Sequence, residues 1–399
     1  MNTRKYILNN LHIFIILIII FCLSVLTWIE FSGNADDLLA NLSKRTEKPE
    51  SLVSEVTDAE DISTIISKPN KTDSFIHLAD TTINEINSMW DESFFQKSRF
   101  GRVDSLFSYL TIRDISSTQV VLGKENWLFY KSIDDGNSIE DYTGTNKFSE
   151  SELNHMLEST LRVQNKITSK DIQFAIILAP NKEHIYSEFM PDIYSHTEKS
   201  RTDCLAQYLR NNGVNVISPK DELINYHSDY QLYYKYDTHW NQLGAYIGVR
   251  EILATWGISL PSLEEQSIQV SALKDNYHYC ARDDLAKMVG LLSIFNDEKE
   301  YVISGTQVDW PAFDSDQSNG IISHFNNKNA PVQKTLLLVG DSFRSAMVPI
   351  LQQVFSDLYV THRGDYTPDI IDDISPDYLI AEYVERYSGS IKAIDFMIN

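Results

Sequence analysis

The amino-acid sequence predicts an α/β protein with a central, mostly parallel sheet. Continuous apolar runs at 174–179 and 335–339 are typical of strands that are buried on both faces of a parallel sheet. Segments with helical patterns at 149–168, 202–211 and 241–257 alternate with these and other apolar runs. Strands that alternate with helices in this way indicate a doubly wound sheet.

The chain of 399 residues begins with a segment that predicts a membrane anchor. Residues 6–29 are uncharged, and their apolar core at 13–29 follows Arg4 and Lys5. About 20 apolar residues are enough to cross a bilayer, and the preceding positive charges favour a cytoplasmic N-terminus. We therefore expect residues 1–32 to form a cytoplasmic stub and a single transmembrane helix. A cleaved signal peptide is the alternative, although its apolar region is usually only about 7–15 residues long.

A polar, acidic stretch separates this anchor from the rest of the chain. Residues 33–75 contain few aromatic side chains and no sustained hydrophobic period, which is typical of a flexible linker. We expect residues 76–399 to form the folded domain, because a hydrophobic content of 43% supports a sizeable core. The formal net charge of -22 argues against nonspecific binding to nucleic acid, so no such partner is expected.

The first part of the domain is predicted to contain a helix, a hairpin and a capped helix. Aromatic residues recur at mixed helical spacing over 83–110, which predicts a helix there. The runs 120–122 and 127–130 flank a tight turn and predict a β-hairpin. Ser149 and Glu152 have the spacing of a capping box, which places a helix start there.

The second part is predicted to supply the remaining strands of the sheet. Short apolar runs at 214–217, 358–361 and 378–381 predict three further strands. The long segment 261–334 has a weak pattern, and we interpret it as a loop-rich insertion with a short helix at 284–292. Such an insertion is expected to wall one side of a site.

The apolar run 335–339 ends in Gly340-Asp341-Ser342, which puts a serine at the carboxyl edge of the sheet. Ligands bind at this edge in open α/β sheets, and a helix that follows the serine would give its backbone N–H an N-terminal position. We therefore predict that Ser342 is a nucleophile whose own N–H is one oxyanion donor. Gly-Asp-Ser alone is a weak signal, because it also occurs in ordinary turns.

A base for this serine is predicted about a hundred residues earlier in the chain. Asp237 and His239 lie two residues apart in one loop, just before a helix that Asn241 is predicted to cap. Acyl transfer by a serine needs an imidazole to take the hydroxyl proton and a carboxylate to orient that imidazole. We predict that Asp237, His239 and Ser342 form this triad. An isolated Asp-x-His is alternatively structural or a metal pair, but we expect no metal and no cofactor.

Four motifs in this order resemble the AlgX/AlgJ-type polysaccharide (alginate) O-acetyltransferase family. They are Gly-Lys-x-x-Trp-Leu-Phe-Tyr at 123–130, Pro-Asn-Lys at 180–182, Asp-Thr-His-Trp at 237–240 and Gly-Asp-Ser-Phe at 340–343. The similarity spans roughly residues 80–390. It implies an SGNH-hydrolase-like three-layer fold, and it implies the same triad, with Asp-x-His before the serine, the reverse of ordinary SGNH esterases.

The resemblance also implies a function, a location and partners. The expected activity is transfer of acetyl groups to a polysaccharide acceptor through an acetyl-serine intermediate. A membrane-bound O-acyltransferase would supply the acetyl groups, and the single-pass anchor would hold the domain on the periplasmic side of the bacterial inner membrane. Cys204 and Cys280 could pair in such an oxidising compartment, although the sequence does not decide this.

Two cations that follow predicted strands are candidates for substrate binding. Lys182 and Arg363 could each hold a sugar hydroxyl or stabilise charge, and an ordinary surface position is the alternative for both. Glu382 and Arg386 lie four residues apart after the last predicted strand, a spacing more typical of a helical ion pair.

Two alternative functions stay open at this point. A carbohydrate acetylesterase would use the same triad, with water instead of a sugar hydroxyl as the attacking group. A noncatalytic polysaccharide-binding assembly subunit would keep the fold without the reaction. The motifs do not separate transfer from hydrolysis, because the difference lies in whether the site admits an acceptor sugar better than water.

Overall fold

The computed structural model describes residues 109, 114–115, 117–272, 283–292, 294–306 and 322–399. The predicted anchor at 1–32 and linker at 33–75 lie outside these residues, as does the predicted helix over 83–110 except for Tyr109. None of the described helices combines the length and apolarity that spanning a bilayer requires. The anchor and the domain boundaries therefore stay predictions.

The described residues form strands, α-helices and short 3₁₀ segments. The strands are β1 (Val120–Leu122), β2 (Leu128–Tyr130), β3 (Gln173–Ala179), β4 (Val216–Ile217), β5 (Ile268–Ala272), β6 (Lys299–Ile303), β7 (Ile322–Asn326), β8 (Val332–Gly340), β9 (Phe355–His362) and β10 (Tyr378–Val384). The α-helices are α1 (Ser138–Thr143), α2 (Glu150–Thr168), α3 (Lys182–Ile185), α4 (Arg201–Asn211), α5 (Lys220–Tyr226), α6 (Gln242–Ala254), α7 (Asp284–Met288), α8 (Val348–Val354) and α9 (Asp369–Ile374). The 3₁₀ segments are Lys124–Asn126, Ser187–Phe189, Leu263–Glu265, Ser342–Met347 and Glu385–Met397.

A central sheet carries the strand order β4–β3–β10–β8–β9–β7. All neighbouring pairs run parallel except β7 and β9, which pair antiparallel, so the prediction of a mostly parallel sheet is confirmed. The predicted run 335–339 lies in β8 between two neighbours, and Leu336 to Val339 are all buried on its two faces. Strand β7 falls inside the segment that was predicted to be loop-rich.

Helices cover both faces of the sheet and give the domain three layers. Alternate residues such as Ile177 and Leu338 pack against α6 and α8. Their neighbours Ile176 and Leu337 point to the opposite face and pack against α2, α4 and the 3₁₀ segment near the C-terminus. Side chains alternate between the two faces of a strand, and fully burying an aliphatic side chain contributes about 1.5–3 kcal/mol. The continuous apolar runs of β3 and β8 therefore stabilise both interfaces.

Two predicted helix starts are present with their caps. The Ser149 side chain accepts a hydrogen bond from the Glu152 backbone N–H, and Glu152 accepts one from Ser149 in return. The Asn241 side chain accepts from the first free N–H groups of α6 at 2.9 and 3.2 Å. Because these groups lack intrahelical acceptors, the caps fix where α2 and α6 begin. The Asn241 cap also fixes the end of the loop that carries His239.

Two antiparallel strand pairs lie beside the sheet. The predicted hairpin is formed by β1 and β2, with Val120 opposite Tyr130. The second, formed by β5 and β6, was not predicted, because it falls in the segment of weak pattern. Cys204 is exposed on α4, and Cys280 lies outside the described residues, so the disulfide stays a prediction.

Candidate active site

The turn Gly340-Asp341-Ser342, here called the serine turn, is held at the carboxyl ends of two neighbouring strands, β8 and β10. Asp341 accepts hydrogen bonds from the Phe343 N–H at 3.0 Å and from the Val384 N–H at 2.9 Å. Its own N–H donates to the buried carboxyl of Glu382 at 2.9 Å. Asp341 therefore fixes the turn and is not available to orient a histidine. The sequence predicted a helical ion pair between Glu382 and Arg386. This prediction is wrong, because Glu382 lies on β10 and accepts the hydrogen bond from the Asp341 N–H.

Gly340 is required where the turn begins. A Cβ at this position would lie 2.5 Å from Oε2 of Glu382 and 2.8 Å from its Cβ. Real Cβ atoms do not approach other atoms this closely, so a side chain would displace the Glu382 carboxyl or the turn. The glycine thus lets the backbone pass directly over the buried acid and present the next residues at the sheet edge.

Ser342 is the first residue of the 3₁₀ segment that follows this turn, and it is exposed to solvent. Backbone N–H groups at the start of a helical segment have no acceptor within that segment. The Ser342 hydroxyl and its N–H therefore sit together at the carboxyl edge of the sheet, where a bound carbonyl group can meet both.

The loop before α6 brings the imidazole to the serine. Nε2 of His239 lies 2.7 Å from Oγ of Ser342. Nδ1 of the same ring lies 2.6 Å from Oδ1 of Asp237, and this oxygen also accepts from the His239 backbone N–H at 2.9 Å. Asp237 is fully buried and His239 is 4% exposed, whereas Ser342 is open to solvent. The structure thus brings the three predicted residues into one hydrogen-bonded chain.

The surroundings of His239 favour its charged form. Burial lowers the pKa of His239, but the charge and the hydrogen bond of Asp237, together with the charge of Asp284, outweigh burial and raise it above its ordinary value. A base with a raised pKa takes a proton more readily. The ring therefore suits proton transfer from the serine hydroxyl.

Asp284, at the start of α7, is a further site residue that the sequence pattern did not reveal. Its carboxylate accepts from the N–H of Thr238 at 2.8 Å and from the Thr238 hydroxyl at 2.5 Å. The Asp284 N–H donates to Oδ2 of Asp237 at 3.1 Å. Burial raises the pKa of Asp284 to about 6, and the charge of Asp237 adds to this effect. The only indication of Asp284 in the sequence was the predicted helix start at 284.

The same three groups, Asp237, His239 and Asp284, are close enough to be considered as metal ligands. The 2.6 Å distance between Nδ1 of His239 and Oδ1 of Asp237 is that of a hydrogen bond and leaves no space for an ion between them. The carboxylate oxygens of Asp284 already accept hydrogen bonds from Thr238. The possible ligand atoms of these three residues are therefore engaged in hydrogen bonds with one another and with Thr238, and they do not surround an open metal site.

Lys182, a predicted substrate-binding residue, lies beneath the loop 234–239 that carries His239, here called the histidine loop. It is only 2% exposed. Its ammonium donates to the carbonyl oxygens of Tyr234 at 3.1 Å, Lys235 at 3.2 Å and Asp237 at 2.7 Å. Three acceptors use all three of its donors. Burial lowers the pKa of Lys182 to about 8, although neighbouring carboxylates oppose this. In this position Lys182 supports the loop and has no donor left for a sugar hydroxyl.

Arg363, the other predicted substrate-binding residue, follows β9 at the same sheet edge. Its guanidinium lies over the rings of Tyr383 at 5.4 Å and Tyr387 at 4.6 Å. Its Nη1 is buried and has no hydrogen-bond partner among the described residues. Arg363 is partly exposed, so a predicted contact with substrate remains compatible with its position.

Arg386, two residues after β10, is a second residue whose role the sequence did not indicate. Its guanidinium lies over the rings of Tyr130, Phe343 and Tyr387 at 5.0–5.6 Å. Within the described part of the chain its buried Nε has no hydrogen-bond partner. Adjacent strands lie about 4.8 Å apart, so the ends of β10 and β8 place Arg386 and Ser342 on neighbouring parts of one edge.

A cleft of about 560 Å³ opens beside Arg386. It lies between the start of α2 and the C-terminal 3₁₀ segment, and its wall includes Phe148, His155, Arg201, Arg386, Tyr387 and Lys392. The one carboxylate of the wall, Glu152, is engaged in the capping box with Ser149. The cleft thus has aromatic rings and cations in its wall, and Arg386 connects it to Phe343 beside Ser342.

Comparisons with known proteins agree with this architecture. Residues 120–359 match the family model described as "SGNH hydrolase-like domain, acetyltransferase AlgX". A DHHW family protein from Eubacterium siraeum is 16% identical, with a TM-score of 0.50 over 71% of this chain and 97% of that one. No curated protein sequence matches the chain.

Two further solved structures are similar in part. Bacillus cereus PatB1 is 16% identical, with a TM-score of 0.47 over 67% of this chain and 96% of that one. The O-acetyltransferase domain of Pseudomonas putida AlgJ is 15% identical, with a TM-score of 0.41 over 69% of this chain and 99% of that one. At 16% identity, the similarity to the Eubacterium siraeum structure concerns the fold alone.

Proposed function

Because the chain belongs to the family of SGNH hydrolase-like domains of the acetyltransferase AlgX, we propose that it moves acetyl groups onto a polysaccharide. The observation that carries this proposal is the hydrogen-bonded chain from Asp237 through His239 to the exposed Ser342. A serine with a buried imidazole and carboxylate behind it is the arrangement that acyl transfer requires.

In the first half of the proposed reaction, Oγ of Ser342 attacks the carbonyl carbon of an acetyl donor. Nε2 of His239 takes the hydroxyl proton, and the oxyanion that forms accepts a hydrogen bond from the Ser342 N–H. The bond to the leaving group then breaks, and His239 returns the proton to that group. Ser342 is left as an acetyl ester, and Asp237 stabilises the imidazolium while it exists.

The second half repeats these steps with the acceptor. A sugar hydroxyl attacks the carbonyl carbon of the acetyl ester, and Nε2 of His239 takes the hydroxyl proton. The bond between the carbonyl carbon and Oγ of Ser342 breaks, and the proton passes to Oγ. The products are the acetylated sugar and free enzyme, so the cycle consumes no cofactor.

We place the polysaccharide in the cleft beside Arg386. The Phe148 ring adds apolar surface to the cleft wall, and cations such as Lys392 offer donors to sugar oxygens. Arg386 is part of the cleft wall, and its guanidinium packs on Phe343 next to the serine. Arg363 also lies over the Tyr387 ring and extends this surface.

The donor and the location belong to the same proposal. The uncharged segment 6–29 in the sequence supports an anchor in the bacterial inner membrane, with residues 76–399 on the periplasmic side. A membrane-bound O-acyltransferase is the proposed partner that delivers acetyl groups to this side.

Acetyl transfer to Ser342 is the step to test first. The full-length protein in detergent is incubated with 4-nitrophenyl acetate, and the mass of the intact chain is measured before and after. We expect one acetyl group on Ser342 in the wild type and none in Ser342→Ala. If the wild type gains no acetyl group with any activated ester, the catalytic proposal is wrong, and a noncatalytic binding subunit becomes the better interpretation.

A carbohydrate acetylesterase is the second candidate, because Ser342 is exposed and water can reach its acetyl ester. The two activities differ in where the acetyl group goes. The acetyl-enzyme is mixed with oligosaccharides, and acetylated sugar and free acetate are both measured. Transfer predicts that a suitable oligosaccharide receives most of the acetyl groups, whereas hydrolysis predicts free acetate at an unchanged rate with every sugar.

A further inference from the structure

A second, half-buried carboxylate lies beside the Asp237–His239 pair. Asp284 begins α7, and its Oδ2 is 3.8 Å from Nδ1 of His239. It reaches the pair through Thr238, whose N–H and hydroxyl both donate to the Asp284 carboxylate at 2.8 and 2.5 Å. The triad accounts for Asp237 and His239, but it does not account for Asp284.

The contacts of Asp284 fix the orientation of the triad carboxylate. Oδ1 of Asp237 accepts from the backbone N–H and from Nδ1 of His239. Oδ2 of Asp237 accepts from the Asp284 N–H at 3.1 Å. Both oxygens of Asp237 are thus held from two sides, and its plane cannot rotate without breaking one of these bonds.

The Thr238 hydroxyl connects Asp284 to the imidazole. Its oxygen lies 2.5 Å from Oδ2 of Asp284 and 3.2 Å from Nδ1 of His239. A hydroxyl has one proton, and the shorter distance indicates that this proton is donated to Asp284. The lone pairs of the hydroxyl oxygen then face Nδ1–H. This acceptor adds to Asp237 and keeps the proton on Nδ1, which leaves Nε2 free for Ser342.

Packing alone does not explain a carboxylate at this position. Two carboxylates within one buried network repel each other, and burial disfavours the charge of both. The cations that face Asp284 are His239, once it is protonated, and the Lys182 ammonium under the same loop. A second negative charge is useful when His239 carries a proton, which is the state formed during transfer.

We propose that Asp284 is a positioning residue that acts through Thr238 and Asp237 on His239, an inference that rests on the proposed function of the site. It holds the imidazole in the tautomer that accepts the serine proton, and its charge stabilises the imidazolium.

Charge and hydrogen bonding are tested with separate variants. Asp284→Asn keeps the size of the side chain and removes its charge, Thr238→Val removes the hydroxyl, and Thr238→Ser keeps it. Asp369→Asn is the matched control, since Asp369 also begins a short helix, α9, but is exposed. The rate of acetyl-enzyme formation is measured from pH 5 to 9, and His239 is titrated by NMR.

We expect Asp284→Asn to lower the rate constant about tenfold, the effect of losing one hydrogen bond to a charged group, with little change in KM. The midpoint of its pH–rate profile and the His239 titration should both move to lower pH, because a negative charge is lost. Thr238→Val should lose a similar factor, Thr238→Ser should recover it, and Asp369→Asn should match the wild type.

A merely structural role predicts a different set of results. It would lower the stability of Asp284→Asn and leave the pH midpoint and the His239 titration where they are, and this outcome overturns the proposal. If wild-type Ser342 takes no acetyl group, the proposed function fails separately. The His239 titration in Asp284→Asn then still decides whether Asp284 acts on the imidazole, because it requires no turnover.

Discussion

Nε1 of Trp240 donates a 2.8 Å hydrogen bond to the carbonyl oxygen of Phe343. Trp240 directly follows His239, and Phe343 directly follows Ser342, so this bond joins the two loops of the site. The Phe343 ring also packs on the rings of His239 at 4.9 Å and Trp240 at 5.6 Å. The distance between base and nucleophile is therefore set by buried contacts next to them.

We expect Trp240→Phe to weaken both stability and rate. The variant keeps an aromatic ring but leaves the buried Phe343 carbonyl without its donor, which costs about 1–3 kcal/mol. The rate of acetyl-enzyme formation should fall more than the affinity for substrate, because the loops lose their fixed distance. Urea unfolding and acylation kinetics measure the two effects.

Trp256→Phe is the control for this variant. Its Nε1 is buried and donates to no acceptor among the described residues, and its ring packs on Tyr378 at the other end of the sheet. The control should lose packing without loss of acylation rate. Equal acylation rates in Trp240→Phe and wild type would show that the bond does not align the site.

Lys182 is expected to support the histidine loop rather than to bind sugar. Lys182→Met removes the donor for three carbonyl oxygens and should lower the free energy of unfolding by about 3 kcal/mol. The acylation rate should fall in parallel because His239 loses its support. Lys124→Met is the control, since Lys124 forms an exposed ion pair with Asp192, and such pairs contribute about 0–1 kcal/mol. A higher KM for oligosaccharide in a fully stable Lys182→Met would instead support the sequence-based prediction.

The sequence predicted those parts of the fold whose signals are local. The apolar run of β8 requires burial on both faces wherever it occurs, and the caps Ser149 and Asn241 act on N–H groups two or three residues away. The prediction that Asp237 and His239 serve Ser342 rested on loops at strand ends, which a parallel sheet collects at one edge. The structure brings Asp237, His239 and Ser342 together, and their catalytic roles stay a proposal.

The parts that could not be predicted depend on contacts between distant segments. Strand β7 has only Phe325 buried, because it is an edge strand, and its apolar pattern is correspondingly weak. Lys182 has the local sequence of a surface residue, and only the fold puts three carbonyl oxygens around its ammonium. Asp284 likewise follows no local pattern that distinguishes it from other acids at helix starts.

The pH dependence of acylation follows from His239. The reaction needs the neutral ring, and the pKa of His239 is raised above its ordinary value of 6.5 by Asp237 and Asp284, against the effect of burial. The rate should therefore rise with pH through a midpoint above 6.5. Asp237→Asn should lower the rate about 10⁴-fold, as expected when the ring loses its orienting carboxylate. A midpoint below 6.5 in the wild type would contradict this assignment of the local charges.

The titration of Asp284 should make the free energy of unfolding depend on pH. Its pKa is about 6 in the folded protein and 3.8 in the ordinary state, owing to burial and then to Asp237. Because the folded value is the higher one, its contribution is complete below pH 3.8 and is lost as the pH rises to about 6. Relative to Asp284→Asn, the wild type should lose free energy of unfolding as the pH rises from 3.8 to about 6. Urea unfolding of both proteins at pH 4, 5 and 6 measures the difference, and a difference that does not change with pH would rule out the raised pKa.

If the polysaccharide binds in the cleft beside Arg386, a change in the cleft should affect the acceptor step and leave the donor step unchanged. Tyr387→Ala removes the ring on which the Arg363 and Arg386 guanidiniums both pack. Because both cations lose the ring that positions them, the KM for an oligosaccharide acceptor should rise about tenfold, the equivalent of about 1.4 kcal/mol. Acylation of Ser342 by a small acetyl ester should keep its rate, because that donor does not need the cleft.

Two further tyrosine variants complete this test. Tyr387→Phe keeps the ring and loses the hydroxyl that bonds to Asp135 and Arg386, so its KM for the acceptor should stay much nearer to that of the wild type. Tyr359→Ala is the distant control, since this ring stacks on His324 at the β7 edge of the sheet. Transfer kinetics that are unchanged in Tyr387→Ala, with acylation intact, would mean that the acceptor approaches Ser342 from another side. The exposed serine would then have to be reached across the Arg363 side of the edge, and Arg363→Ala would become the variant that raises the acceptor KM.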